Sequence, residues 1–462
     1  MALTNLAEKP APEPLNQYLQ GDYEPVQDEM TILQLSVTGK VPAALNGLLL
    51  RNGPNPLAPI SEPYHWFSGD GMLHGVRLGG GRALWYRNRW VRTSRFCARR
   101  SLPDRGGTPD VFGENPANTS VLEHAGRILA LNEVGFPYEI TEDLQTVGRH
   151  DFGGSLHTGM SAHGKVDPTT GELIFYGYAF APPFLSVYVV SPGGQVLRCQ
   201  PVDLPRPVMM HDFAFTRSHI ILLDLPVVFD LQTIASTGLP FRWKREAGAR
   251  LGLLSRQDLA APVRWIELDP CYALHTMNAF ERDDGEIVLD LIAYDSLCDG
   301  QGFGPWESLP NRLERWTVDP AQGRVARTVL DAQSQEMPRI DPRRVGGEYR
   351  YGYTLAVREL GGGLGAIGDL LKHDHRTATV ERHRMPETSQ AGECVFVPAS
   401  PGGAEDEGWI LTLVSDRRRG RAELLILDAQ NFAGEPVATV HLPARLPQGF
   451  HAAWVPERPA KG

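Results

Sequence analysis

The chain has few cysteines: Cys97, Cys199, Cys271, Cys298 and Cys394 are the only five in 462 residues, and none forms a CxxC. That argues against a disulfide scaffold and a cysteine-rich zinc site, and it fits reduced thiols in a cytoplasmic protein. Positive charge is also in short supply, with 45 Lys and Arg against 55 Asp and Glu, a formal charge of −10. Non-specific nucleic-acid binding needs a basic surface to displace counterions, so no nucleic-acid partner is expected. The local cluster Arg417-Arg418-Arg419 reads as a solvated loop. Long apolar runs are absent. The strongest, Ile220 to Leu231, is broken by Asp224, Pro226 and Asp230, and a spanning helix needs about 20 apolar residues. The opening MALTNLAEKPAPEP lacks the basic start and apolar core of a secretory signal. Long amphipathic helices are missing too. The short candidates are Gln232 to Thr237 and Leu253 to Ala260, with Ser255 as a cap inside the second. No serine nucleophile motif occurs, and Gly361-Gly362-Gly363 lacks the context of a phosphate loop.

What the chain does have is turns: 48 Gly and 37 Pro, spaced between short apolar runs. This is the pattern of many strands joined tightly. Thr119 to Leu122 and Ile128 to Asn132 flank His124-Ala125-Gly126. LSVYVV and QVLRCQ flank Ser191-Pro192-Gly193-Gly194. RWTVD and RVARTVL flank Pro320 to Gly323, and WILTLVS and ELLILDA flank an Arg/Gly turn from Asp416 to Arg421. Further β-rich runs begin at Glu286 and Val437. No linker divides the chain, and the strands are too many for one sandwich. They suit an all-β propeller, at roughly 60 to 65 residues for each of seven blades. No clean repeat in the sequence supports that count. The expected organisation is an N-terminal extension over residues 1–30 and one propeller domain over 31–462.

Four of the fourteen histidines sit in apolar, strand-like settings: His163 in SAHGKVDP, His211 in VMMHDFAF, His275 in YALHTMNAF and His451 in QGFHAAW. They are separated by 48, 64 and 176 residues. No local zinc-type spacing exists, so they can meet only if the fold gathers them, as a propeller gathers its innermost strands. Taken singly, each reads as a hydrogen-bonded core histidine. His65 and His74 read as structural, and Lys372-His373-Asp374-His375-Arg376 as a charged turn.

RNGPNP (51–56), YHWFSGDGMLH (64–74), SAHGKVDPTTGEL, MMHDFAFT, HTMNAFE and GFHAAW, taken together and in this order, resemble the signature blocks of the carotenoid cleavage oxygenases. The blocks run from about residue 45 to residue 455, nearly the whole chain. The resemblance implies a seven-bladed β-propeller with a dome of loops and short helices over one face. It implies Fe(2+) on the axis, held by His163, His211, His275 and His451, with Glu133, Glu336 and Glu393 behind three of them. A carboxylate that accepts a ligand's other N–H fixes its tautomer and offsets the charge of a cation held by neutral imidazoles. Four histidines in a six-coordinate sphere leave two positions open, which suits an oxygenase better than structural zinc. Thr119 matches a position where relatives place a small side chain near an open site.

Some positions depart from the family pattern. Gly164 stands where proline usually follows the histidine, Ser68 where aspartate is common, and Ala452 where glycine often follows. Asn132 stands where stilbene-cleaving members commonly carry lysine, which favours a carotenoid or apocarotenoid over a hydroxystilbene or phenylpropene. The expected partners are dioxygen and an apolar polyene, with peripheral membrane contact through stretches such as Phe180 to Leu185 or Leu225 to Phe229. Those stretches also read as core strand. A binding-only propeller and a metal-dependent isomerase remain open alternatives.

Overall fold

One turn shows how the strands arise. His124 pairs with Arg127, so the hairpin loop is two residues long, and both residues have positive φ, 51° at Ala125 and 81° at Gly126. That backbone suits the twist of a tight antiparallel hairpin, and it sets Ser120–His124 against Arg127–Leu131. In the computed structural model, which describes residues 16–58, 60, 64–104, 115–179, 181–297, 310–359 and 365–458, the other expected hairpins also form. They are Leu185–Val190 with Val196–Val202, Asn311–Asp319 with Arg324–Asp331, and Gly408–Asp416 with Arg421–Asp428. The two remaining runs lie in Ile287–Tyr294 and Ala438–Leu442. Gly361 to Gly363 and Cys298 lie outside the described residues.

Among the described residues, the strands gather into seven sheets of four to six strands and one two-stranded ribbon, Val227–Phe229 with Phe241–Trp243. The seven sheets are the blades of a β-propeller. Burial follows position in the blade. In the third, Leu173–Tyr178 and Leu185–Val190 are buried at every residue, while the outer strand Val196–Val202 is largely exposed. Middle strands are covered on both faces by neighbouring blades, so they read as continuous apolar runs rather than alternation.

Both ends of the chain close the ring. Ala452–Pro456 is the inner strand of the first blade and pairs with Gly47–Pro54. Ser36–Gly39 is the outermost strand of the last blade and pairs with Ala438–Leu442. The inner strands of the other blades are Ser120–His124, Lys165–Val166, Ala214–Phe215, Tyr272–Glu281, Gln335–Ile340 and, in the last blade, the segment from Ser389–Ala391 to Val395–Pro398.

The helices among the described residues are few and short. Leu231–Thr233 and Ile234–Thr237 fall where a helix is expected. Ser94–Arg100 is a further helix: Thr93 caps it by accepting from the Phe96 N–H at 3.2 Å, and Arg99 and Arg100 close it. The expected helix from Leu253 to Ala260 does not form. Leu253 to Ser255 finish the strand Ala249–Ser255, paired with His219–Asp224, and the Ser255 hydroxyl accepts from the Asp258 N–H in a turn. Cross-strand pairing outweighs a weak local cap there. Ahead of Met30–Ile32, the turns Gln17–Leu19 and Gly21–Tyr23 bury Tyr18 and Tyr23 against His65 and Trp66.

Candidate metal centre

The four histidines enter from the starts of inner strands. His163, His211 and His451 come shortly before Lys165–Val166, Ala214–Phe215 and Ala452–Pro456. His275 lies within Tyr272–Glu281, where the register to the next strand slips between Ala273 and Thr276. Such a bulge turns a side chain that regular pairing would direct elsewhere. His211 itself has φ of 53°, a left-handed backbone that costs a non-glycine residue about 1–3 kcal/mol unless its surroundings hold it. The Tyr178 hydroxyl supplies that hold by accepting from the N–H groups of Met210 (2.9 Å) and His211 (3.0 Å).

Although far apart in sequence, the four rings converge. One ring nitrogen from each of the four lies within 4.8 Å of the others. The Nε2 of His211 is 3.2 Å from that of His163 and 3.3 Å from that of His275. The opposite nitrogens of three rings are engaged: His211 Nδ1 meets Glu133 at 3.0 Å, His275 Nδ1 meets Glu336 at 2.7 Å, and His451 Nδ1 meets Glu393 at 3.0 Å. A carboxylate can only accept, so each Nδ1 carries the proton and each Nε2 presents a lone pair inward. Lone pairs 3.3 Å apart, as between His211 and His275, repel unless a cation lies between them. An imidazole nitrogen sits about 2.1 Å from a bound divalent metal, which puts neighbouring donors about 3 Å apart. The residues therefore fit a single divalent cation. Among the described residues, no carboxylate meets the ring of His163.

Electrostatics follow from burial. Burial, then the neighbouring His211, His451 and His275 and the Lys165 ammonium, hold His163 well below the usual histidine range. Burial opposes charge on His275 as well, but the Glu336 carboxylate, with Asp212 and Glu393, outweighs it and raises that ring. For His451 burial wins over Glu393, and the ring is lowered.

Each glutamate is itself braced. Tyr178 donates to Glu133 Oε1 at 3.0 Å, and Tyr294 donates to Glu336 Oε1. The N–H groups of Met337 and Ala452 donate to Glu336 Oε2 and Glu393 Oε2, both at 2.8 Å. Tyr178 and Tyr294 were not singled out from the sequence. Each ends or nearly ends a buried second strand, Leu173–Tyr178 and Ile287–Tyr294, and a tyrosine there reads as core until its hydroxyl finds a partner.

Thr119 precedes the inner strand Ser120–His124, and the His451 N–H donates to its carbonyl at 3.2 Å. Its hydroxyl donates to Asn118 Oδ1 at 3.0 Å and faces Asn132 Nδ2 at 3.4 Å. Asn132 also donates to Asn118 Oδ1 and accepts from the Val134 N–H, so it is tied into the Thr119 network. The RNGPNP block braces the same place. Asn52 exchanges backbone hydrogen bonds with Phe450 and His451, and its side chain donates to the Ala117 and Ser120 carbonyls at 2.9 and 3.0 Å.

Other histidines lie elsewhere. His65 accepts from the Phe67 N–H within a helical turn, and His74 pairs with the Tyr86 hydroxyl, as expected of structural residues. His373 is not in a charged turn. It is buried in the strand Gly365–Asp374 and bonds Thr354 Oγ1 at 3.0 Å. Residues 368–373 of that strand are buried without alternation, so neither a polar face nor a period marks it in the sequence.

Comparison with known proteins agrees with this geometry. The sequence family described as retinal pigment epithelial membrane protein (RPE65) matches residues 23–456. A carotenoid cleavage oxygenase of Mycobacterium tuberculosis is 38% identical over 496 residues, covering 96% of this chain and 99% of that protein. Cobalt-substituted apocarotenoid oxygenase of Synechocystis superposes with a TM-score of 0.84 at 29% identity, covering 94% of this chain and 98% of that one. Lignostilbene dioxygenase of Pseudomonas brassicacearum does so with 0.87 at 28%, covering 97% and 100%. Sequence, fold and the gathered histidines together place this chain in the RPE65/carotenoid cleavage oxygenase family.

Proposed function

We propose that this protein holds Fe(2+) through His163, His211, His275 and His451 and oxidatively cleaves one conjugated C=C bond of a carotenoid or apocarotenoid. The observation that carries the reading is four converging ring nitrogens, three of them on rings whose opposite nitrogen is held by a carboxylate. The reaction balances without a further reductant: one C=C and one O₂ give two C=O groups. Bound iron would supply the activation of dioxygen. Glu133, Glu336 and Glu393 keep the Nδ1 protons of their partners and so keep the ligating nitrogens free. Thr119, its hydroxyl turned to Asn118, restricts space beside the histidines. The aromatic rings of Trp66, Phe67 and Phe450 pack together, Phe450 being the residue before His451, and apolar rings of this kind suit a polyene. The catalytic unit is residues 31–462 acting as one domain.

Peripheral membrane contact belongs to the same proposal, because the substrate is water-insoluble. No described helix is long and apolar enough to cross a membrane. Leu225, Val227 and Val228 are buried and cannot serve, and Phe180 lies outside the described residues. Leu231 is 69% and Ile234 42% exposed on the adjoining helical turns Leu231–Thr233 and Ile234–Thr237, close in sequence to the exposed Arg242, Lys244 and Arg245, a composition that suits a lipid interface. The double substitution L231E/I234E is expected to abolish co-sedimentation with anionic phosphatidylglycerol vesicles. Unchanged binding would remove this part.

The likeness to lignostilbene dioxygenase supports a second reading, cleavage of a hydroxystilbene or phenylpropene by the same chemistry. Iron-loaded protein should be incubated under oxygen with carotenoids, apocarotenoids and hydroxystilbenes, and the products identified by mass spectrometry. Shorter apocarotenoid aldehydes are expected. Phenolic aldehydes alone would establish the second reading, and no cleavage with iron bound would overturn both.

A further inference from the structure

The three glutamates behind the histidines are not equivalent. Glu133 and Glu336 each receive a neutral tyrosine hydroxyl, from Tyr178 and Tyr294. Glu393 instead faces a cation: Arg339 Nε is 3.5 Å from its Oε1. Among the described residues, neither Glu133 nor Glu336 has an Arg or Lys within ion-pair distance. Arg339 is fixed by its own strand. It lies on Gln335–Ile340, three residues beyond Glu336 and past the register shift between them. One residue, Ala452, ties the two together: its N–H donates to Glu393 Oε2 and its carbonyl accepts from Arg339 Nη2, both at 2.8 Å.

Charge counting gives this contact a role. Among the described residues, the charged side chains that act on the four histidines, directly or through a glutamate, are Glu133, Glu336, Glu393, Asp212, Lys165 and Arg339. Lys165 and Asp212 pair with each other at 2.9 Å. A divalent cation brings the whole set to zero, and without Arg339 it would carry one net negative charge. We propose that Arg339 is a positioning residue that sets the charge of the metal centre through Glu393, making the Glu393–His451 pair the weakest of the three donors. A carboxylate shared with a guanidinium polarises the imidazole N–H less, so His451 is a poorer base toward the metal than His211 or His275. With a side chain 39% exposed, Arg339 can be replaced without opening a core cavity.

This inference rests on the proposed metal site, and its test separates the two. Metal-free protein is titrated with Co(II) against a competing chelator, and the Fe(III)/Fe(II) potential of iron-loaded protein is measured. R339Q is expected to bind Co(II) several-fold more tightly and to shift the potential negative, because a nearby positive charge disfavours both the cation and its oxidised state. R339K is expected to match wild type in both. A purely structural brace predicts the opposite sign, since a loosened Glu393 would weaken Co(II) binding and raise the potential. Co(II) affinity of R339Q equal to or below wild type, or a potential unchanged or raised, overturns the inference. R339M, uncharged but of similar bulk, replaces R339Q if that variant does not fold. Wild-type protein that fails to hold one Co(II) per chain overturns the metal site itself.

Discussion

At His211 the backbone as well as the ring is committed to the site. Its φ of 53° is sustained by one hydroxyl, that of Tyr178, which also reaches the glutamate behind the same ring. One side chain thus fixes where the imidazole starts and which nitrogen keeps its proton. Glu336 shows the same economy: fully buried, it meets His275 Nδ1 at 2.7 Å, the Met337 N–H and Tyr294. Glu336→Gln keeps an acceptor for the histidine but removes the charge. It should lower Co(II) affinity by about 10–100-fold while leaving the circular dichroism spectrum unchanged. A competitive chelator titration measures this. The four histidines were legible from the ordered signature blocks, and the three glutamates from the family resemblance that those blocks carry. The tyrosines were not, because a strand tyrosine carries no mark of where its hydroxyl will point.

Between elements, two signature blocks turn out to be one contact. Gly53 of RNGPNP faces Gly449 of GFHAAW, and a Cβ on Gly53 would lie 2.6 Å from the Gly449 Cα. The strand Gly47–Pro54 can therefore approach the segment before His451 only because both residues are glycine. Gly53→Ala must push back the loop that carries the fourth histidine. It should reduce bound metal per chain, read by elemental analysis, more than it reduces the folded fraction. Full metal content in G53A would show that the loop yields freely. At this scale the hairpins could be read from turn residues, whereas the strand end at Leu253 to Ser255 could not. There an apparent cap lost to pairing with His219–Asp224, which only the assembled blade supplies.

For the whole molecule, assembling the blades buries titratable groups that the unfolded chain exposes. His373 is 4% exposed, and burial pushes its ring down to about 4. Its unfolded value is near 6.5, so between pH 4 and 6.5 the unfolded chain binds the extra proton. Stability from keeping this ring neutral is full above about pH 6.5 and is lost as pH falls toward 4, by at most about 3 kcal/mol. His373→Gln should flatten the stability profile across that window relative to wild type in urea unfolding at successive pH values. Parallel profiles would show that other groups dominate. Metal should act on the whole ring too, since the histidines come from four blades. Adding Co(II) to metal-free protein should raise its Tm with concentration, and the H275A variant should lose most of that rise.

The sequence by itself determined the strand-and-turn character and, through six ordered blocks, the identity of the four histidines that meet at the centre. Periodicity and turn chemistry are local, and they survive in a linear reading. Only the tertiary structure decided that four rings share one point, which tautomer each of three keeps, and which carboxylate faces a cation. Those are relations between residues tens to hundreds of positions apart, and they exist only once the ring of blades has closed.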